Sequence, residues 1–201
     1  MTFEQLTVLV VTNLQESNIQ YMLTGALAIN YYGVPRMTHD IDIIVQIAGN
    51  DVKKIQELFD NDFFVSEESI RSAVTEVSMF NIIHKETGFK VDFWILKDDE
   101  YNNTAFARRK NYPYQQKVVS IASPEDMLII KLEWFKMADI DKHYFDAVGV
   151  YRIQKDNLDK NYITYWCQKK SLSALWEKIQ KVKIYDKFLL NFNPILLSFV
   201  F

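Results

Sequence analysis

Asp40 and Asp42 stand two residues apart in Arg36-Met37-Thr38-His39-Asp40-Ile41-Asp42-Ile43-Ile44-Val45, whose second half has the composition of a β-strand. Side chains at i and i+2 share one face of a strand, so both carboxylates project together while Ile41 and Ile43 point the other way. Two acids this close repel each other unless a positive group lies between them. A divalent cation meets that need, and Mg²⁺ favours a few carboxylates together with substrate phosphate oxygens. The plainer reading is a solvated strand edge, where paired acids are tolerated. Against it, Ile41, Ile43, Ile44 and Val45 suggest a well-buried strand, in which unpaired carboxylates are costly. The pair therefore points to metal-assisted phosphoryl chemistry.

Three further groups bear on that chemistry. Thr24-Gly25-Ala26-Leu27 falls between a predicted strand and a predicted helix, where glycine lets backbone approach a phosphate and free amides attract anions. Taken alone it reads as an ordinary turn. Asp92, in Lys90-Val91-Asp92-Phe93-Trp94-Ile95-Leu96, has two readings. It is ion-paired to Lys90, which shares its face, or it lies on a strand beside the first two acids and completes a three-carboxylate site. Such a site would hold two metal ions across a transferring phosphate. Arg36, the run Arg108-Arg109-Lys110, and Lys131 would balance a triphosphate, though each singly reads as a solvated surface charge. Arg36 is the strongest of them because it adjoins the acidic strand.

The elements that must position these residues follow from periodicity. Apolar spacing predicts a helix over 3–17, a strand over 21–23, a helix over 26–32 closed by Gly33 and Pro35, and the acidic strand ending at Gly49-Asn50. Asp51 is placed to cap a helix reaching residue 59. A short strand at 63–65 and a helix at 67–74 come next. Strands over 78–84 and 89–96 flank Lys85-Glu86-Thr87-Gly88, a hairpin signal, and 117–121 adds another strand. From Ser123-Pro124 onward the chain reads helical, over 124–138, 142–154, 156–168 and 171–181, with Ile129, Leu132 and Phe135, then Tyr162, Ile163 and Trp166, as buried faces. The prediction is an α+β fold: a mixed β-sheet flanked by helices, then a helical carboxy-terminal half.

Composition sets outer bounds. With 201 residues, 49% apolar and 24% charged, the chain can bury a core and is not of the disordered class. A net charge of −3 and a pI near 5.7 argue against indiscriminate nucleic-acid coating, while leaving room for a local basic groove. The single Cys167 cannot form an internal disulfide, and the amino terminus lacks the basic flank and apolar stretch of a signal peptide. Both features suit a cytoplasmic protein. Residues 188–201 are apolar but too short to span a membrane. They are expected to pack on the domain or on a partner, with no membrane association.

Gly25-Ala26, then Arg36-x-Thr38-x-Asp40-Ile41-Asp42, then Val91-Asp92-Phe93, resembles the signature of nucleotidyltransferases of the DNA polymerase β-like superfamily. The run Ser123 to Leu132, followed by His143-x-x-Asp146, is similar to bacterial AbiEii-like members tied to toxin–antitoxin and abortive-infection systems. The resemblance implies a polymerase β-like core over 1–121, a helical subdomain over 122–183 and an apolar tail over 184–201. It implies a nucleoside triphosphate substrate, Mg²⁺ (or Mn²⁺), a tRNA or protein acceptor hydroxyl, and a cognate toxin or antitoxin partner. Asp40, Asp42 and Asp92 would be the metal-binding catalytic acids, with Asp92 also helping to activate the acceptor. Gly25, Ala26, Arg36 and Thr38 would bind the nucleotide. Lys131 and Asp146 match the helical Lys and later acid of those relatives. Ala26 stands where the family often has Ser, whose hydroxyl meets a phosphate oxygen. That departure keeps open a non-catalytic nucleotide-binding or antitoxin-like module, alongside a small-molecule, aminoglycoside-type nucleotidyltransferase.

Overall fold

Residues 1–182 are described by a computed structural model, and they divide into two units. The first comprises Met1–Ala28 and Arg36–Ser123; the second comprises Ile29–Pro35 and the chain from Pro124 onward.

The first unit is built in the order α1 (Phe3–Glu16), β1 (Gln20–Leu23), α2 (Gly25–Tyr32, whose last turn belongs to the second unit), β2 (Asp40–Gln46), α3 (Val52–Phe59), β3 (Phe63–Phe64), α4 (Glu67–Glu76), β4 (Met79–His84), β5 (Lys90–Ile95), α5 (Glu100–Ala107), β6 (Lys110–Tyr114) and β7 (Lys117–Ile121). The strands form one seven-stranded sheet in the order β3-β4-β5-β2-β1-β7-β6. Pairings β2–β5 and β1–β7 are parallel and the others antiparallel, so the α+β class and the mixed sheet are as predicted.

Sequence dictates these elements locally. Thr2 and Gln5 form a capping box that starts α1, and Leu6, Val10, Val11 and Leu14 line its buried face. On β2 the residues alternate, with Ile41, Ile43 and Val45 buried and Asp40, Asp42 and Ile44 on the half-exposed face. The strand is therefore buried on one side only. The β4–β5 hairpin turns at Gly88, with φ +71°, and its amide bonds back to the carbonyl of His84 at 2.9 Å. Phe93 on β5 is fully buried and stacks on Phe80 with ring centres 5.0 Å apart. Because the strand period is two, anchoring Phe93 in the core turns Asp92 to the opposite face.

The second unit contains α6 (Pro124–Ala138), α7 (Asp141–Gln154), α8 (Lys160–Lys169) and α9 (Ser173–Lys181). Gly149 lets α7 approach Val34, since a Cβ there would lie 3.3 Å from its backbone nitrogen. The Gln154 side chain donates to the carbonyl of Tyr32 at 3.1 Å.

Several predictions of detail are corrected. Helix α8 begins at Lys160 and not at 156, because Asp159 accepts from the Tyr162 amide and caps it there. Asp51 makes no cap bond to α3 and instead accepts from the Ala48 amide at 2.9 Å. Phe135 is half-buried, unlike Ile129 and Leu132. Helix α5 and strand β6 were not foreseen. The apolar run 188–201 lies outside the described residues. Among those described, no helix is long and apolar enough to cross a membrane.

Candidate functional site

Parallel pairing of β2 with β5 sets Asp42 opposite Asp92 and Asp40 opposite Lys90 in register. Partners in register share a pleat phase, so these four side chains leave the same face of neighbouring strands about 4.8 Å apart. Asp92 is 7% exposed. Its Oδ2 accepts from Lys90 Nζ at 2.9 Å, while its buried Oδ1 has no hydrogen-bond partner among the described residues. Lys90 Nζ is also 3.9 Å from Oδ1 of the half-exposed Asp40. The hydrogen bond to Asp92 raises the Lys90 pKa above its ordinary value, against the lowering effect of burial, and the charges of Asp92, Asp40 and Asp42 add to the rise. Asp92 thus lies on the strand beside the other two acids, and it is paired to Lys90.

Gly25 completes the cluster from the neighbouring strand. The Thr24 amide bonds to the Asp42 carbonyl at 2.9 Å, and Gly25 follows with φ +59°. A Cβ at that position would fall 1.8 Å from Asp42 Oδ2, 2.4 Å from its Cγ and 2.7 Å from its Cβ. Only glycine lets the start of α2 lie this close to the carboxylate. The first amides of a helix lack intrahelical acceptors and favour anions, so this turn offers donors beside the acids. Ala26 is buried and can offer only its amide.

Thr38 braces the start of β2. Its hydroxyl donates to the Asp40 carbonyl at 3.2 Å and accepts from the Asp40 amide at 3.4 Å. Arg36, two residues earlier, is half-exposed and reaches the Met37 carbonyl with Nη1 at 3.4 Å. Arg109 is committed elsewhere. It donates to the Phe106 carbonyl at 2.6 Å and to Gln20 Oε1 at 2.7 Å, and lies over the Phe106 ring. Gln20 opens β1, whereas Gly25 follows its other end, so this guanidinium does not face the Gly25 turn.

Lys131 and Asp146 meet each other in the helical unit. Their Nζ–Oδ2 distance is 3.3 Å, with side chains 4% and 6% exposed, and the Lys131 ammonium lies 5.2 Å from the Trp134 ring centre. The exposed lysine of the plainer reading is not found; this is a buried ion pair between α6 and α7. Among the described residues, no three Asp, Glu, His or Cys side chains are gathered as a ready-made metal cage. At the Asp40–Asp42–Asp92 cluster it is the Lys90 ammonium that lies against two of the acids. The same-face spacing of Lys90 and Asp92 was the only sequence signal of this, and nothing in the sequence marked the Gly25–Asp42 contact.

Solved structures share this architecture. The lincosamide antibiotic adenylyltransferase LnuA, bound to lincomycin, matches with TM-score 0.52 at 17% identity, over 76% of this chain and 98% of that one. An antigenic nucleotidyltransferase-like protein from Paracoccidioides brasiliensis matches with TM-score 0.54 at 15% identity, over 87% and 91%. The solution structure of the antibiotic-resistance factor ANT(2'')-Ia matches with TM-score 0.52 at 12% identity, over 88% and 96%. The fold is that of the nucleotidyltransferases. No protein-family model matches the sequence, and no curated protein matches it.

A nucleotidyltransferase fold implies a divalent cation, and the donor set suits one. All three acids are hard oxygen donors of the kind Mg²⁺ and Mn²⁺ prefer. The buried Asp92 Oδ1, unsatisfied among the described residues, has the full desolvation penalty of an unmade bond to recover.

Proposed function

We propose that the protein is a metal-dependent nucleotidyltransferase that moves a nucleoside monophosphate from a nucleoside triphosphate to an acceptor hydroxyl. The observation that carries this reading is the in-register pair Asp42 and Asp92 on adjacent parallel strands, with Asp40 on the same face and the Gly25 turn against Asp42.

In this reading Asp40, Asp42 and Asp92 hold Mg²⁺ or Mn²⁺. A metal ion bound there polarises phosphoryl oxygens and lowers the pKa of a bound hydroxyl. The chain's own groups do the rest. The amides of Gly25 and Ala26, at the positive end of α2, receive the terminal phosphates, and Arg36 adds charge beside them. Thr38 fixes the backbone from which Asp40 projects. The acceptor oxygen attacks the α-phosphorus, the bond to the bridging oxygen of the β-phosphate breaks, and pyrophosphate leaves. Asp92, the most buried of the three acids, stands to take the hydroxyl proton. Lys131, held by Asp146, is a further catalytic candidate from the helical unit.

The acceptor has two candidate classes. A tRNA or protein acceptor in a toxin–antitoxin or defence setting is what the resemblance of the α6 and α7 motif to AbiEii-like members implies. A small-molecule acceptor is the second reading, favoured by the names of LnuA and ANT(2'')-Ia, and it has equal support. Incubation with each α-labelled nucleoside triphosphate and Mg²⁺, against cell RNA, cell protein, lincosamides and aminoglycosides in parallel, separates them by which product carries label. Asp42→Asn and Asp92→Asn should each abolish labelling while the protein stays folded by circular dichroism. Undiminished transfer by the folded double variant would remove the catalytic assignment. Triphosphate binding without any labelled product would favour a non-catalytic module.

A further inference from the structure

We propose that Lys90 is a built-in counter-ion for the acid cluster, holding the carboxylates together in the metal-free protein and leaving them when a divalent cation binds. The inference rests on the reading of Asp40, Asp42 and Asp92 as metal ligands.

Three carboxylates on one face carry a formal charge of −3, and the Lys90 ammonium contacts two of them. Lys90 is also an incomplete partner. It bonds one oxygen of Asp92 at 2.9 Å and stands 3.9 Å from Asp40. The other Asp92 oxygen stays buried and, among the described residues, without a hydrogen bond. A cation with several coordination positions satisfies both oxygens where the ammonium satisfies one. A metal ion seated on Asp92 would come within a few ångströms of Nζ, where like charges repel strongly. The lysine has somewhere to go: its side chain is 36% exposed, and its long flexible stem reaches water easily. Its place on β5 is fixed by strand register opposite Asp40, so the ammonium returns to the same acids once the metal departs. Exchange of one cation for another keeps the cluster from repelling itself apart at any stage.

The test is Mn²⁺ titration without nucleotide, followed by electron paramagnetic resonance and by thermal shift, on wild type, Lys90→Met, Lys90→Arg and Asp42→Asn. Lys90→Met keeps most of the stem and removes the competitor. It should bind Mn²⁺ roughly tenfold or more tightly than wild type, the scale on which neighbours of metal ligands act. It should also melt lower without metal and gain more on metal addition, with Lys90→Arg remaining close to wild type. Folded Lys90→Met that binds Mn²⁺ no better than wild type overturns the inference. Should that variant not fold, acetylation of Lys90 in the wild-type protein, read by mass spectrometry, decides the matter. Added Mn²⁺ should raise labelling of Lys90, and unchanged labelling overturns the inference. Failure of the underlying reading looks different: wild type and Lys90→Met would both fail to bind Mn²⁺, or Asp42→Asn would bind it undiminished.

Discussion

Gly25→Ala isolates the closest approach in the site. At φ +59° any L-residue carries a backbone penalty of about 1–2 kcal/mol. The new methyl would also fall 1.8 Å from Asp42 Oδ2 and 2.7 Å from Asp42 Cβ. Rotating the Asp42 side chain relieves the first contact but not the second, because Cβ moves only with the backbone. Strand β2 or the start of α2 must therefore shift, at the roughly 1–3 kcal/mol typical of overpacking. The sum is about 2–5 kcal/mol, or roughly 4–20 °C in melting temperature for a chain of this size. Gly88→Ala is the control, since φ there is +71° and a Cβ would meet nothing within 4 Å; it should lose only the backbone penalty. Urea and thermal unfolding of both variants, followed by circular dichroism, give the difference directly. If Gly25→Ala is no less stable than Gly88→Ala, the Asp42 carboxylate does not lie against the helix start and the site geometry is wrong.

Lys131→Met should cost about 3–5 kcal/mol by breaking the buried ion pair with Asp146. The double variant Lys131→Met, Asp146→Leu should recover much of that loss in urea unfolding. Burial pushes the Cys167 thiol up to about 12 from 9.0, so it should resist iodoacetamide at pH 8 until the protein is unfolded. Between pH 9.0 and about 12 the folded state holds a thiol proton that the unfolded state has lost. Stability should therefore fall with rising pH across that window, by up to roughly 1.4 kcal/mol per unit, and a Cys167→Ala variant should lack that component in pH-dependent urea unfolding.

Much of the placement of the candidate site residues was legible because strand chemistry is local. Alternation of acids with Ile41 and Ile43 placed Asp40 and Asp42 on one face, and the same spacing placed Lys90 and Asp92 together on β5. Gly88 after polar residues marked the hairpin. The register of Asp42 with Asp92 was not legible, because it joins strands fifty positions apart and is set by tertiary packing. The Gly25–Asp42 contact escaped for the same reason. Strand β6 was hidden by Asn111 and Pro113, residues that disfavour strands except at an edge, which is where β6 lies. Helix α5 has a weak apolar stripe, although its cap Asp99, which accepts from the Asn102 amide at 2.8 Å, was visible in the sequence.

Strand β2 carries core and site on alternate letters of one seven-residue word, Asp40–Gln46. The two sets of letters answer to different mutational pressures. Changing Ile43 to Val edits the core and leaves the acids untouched, while changing Asp42 to Asn edits the site and spares the core. Loss of a single codon is another matter. Deleting Ile41 would bring Asp40 and Asp42 together in the chain and send them to opposite faces, spoiling packing and chemistry in one event. This segment should thus accept conservative substitutions at its buried letters and reject every insertion or deletion of odd length.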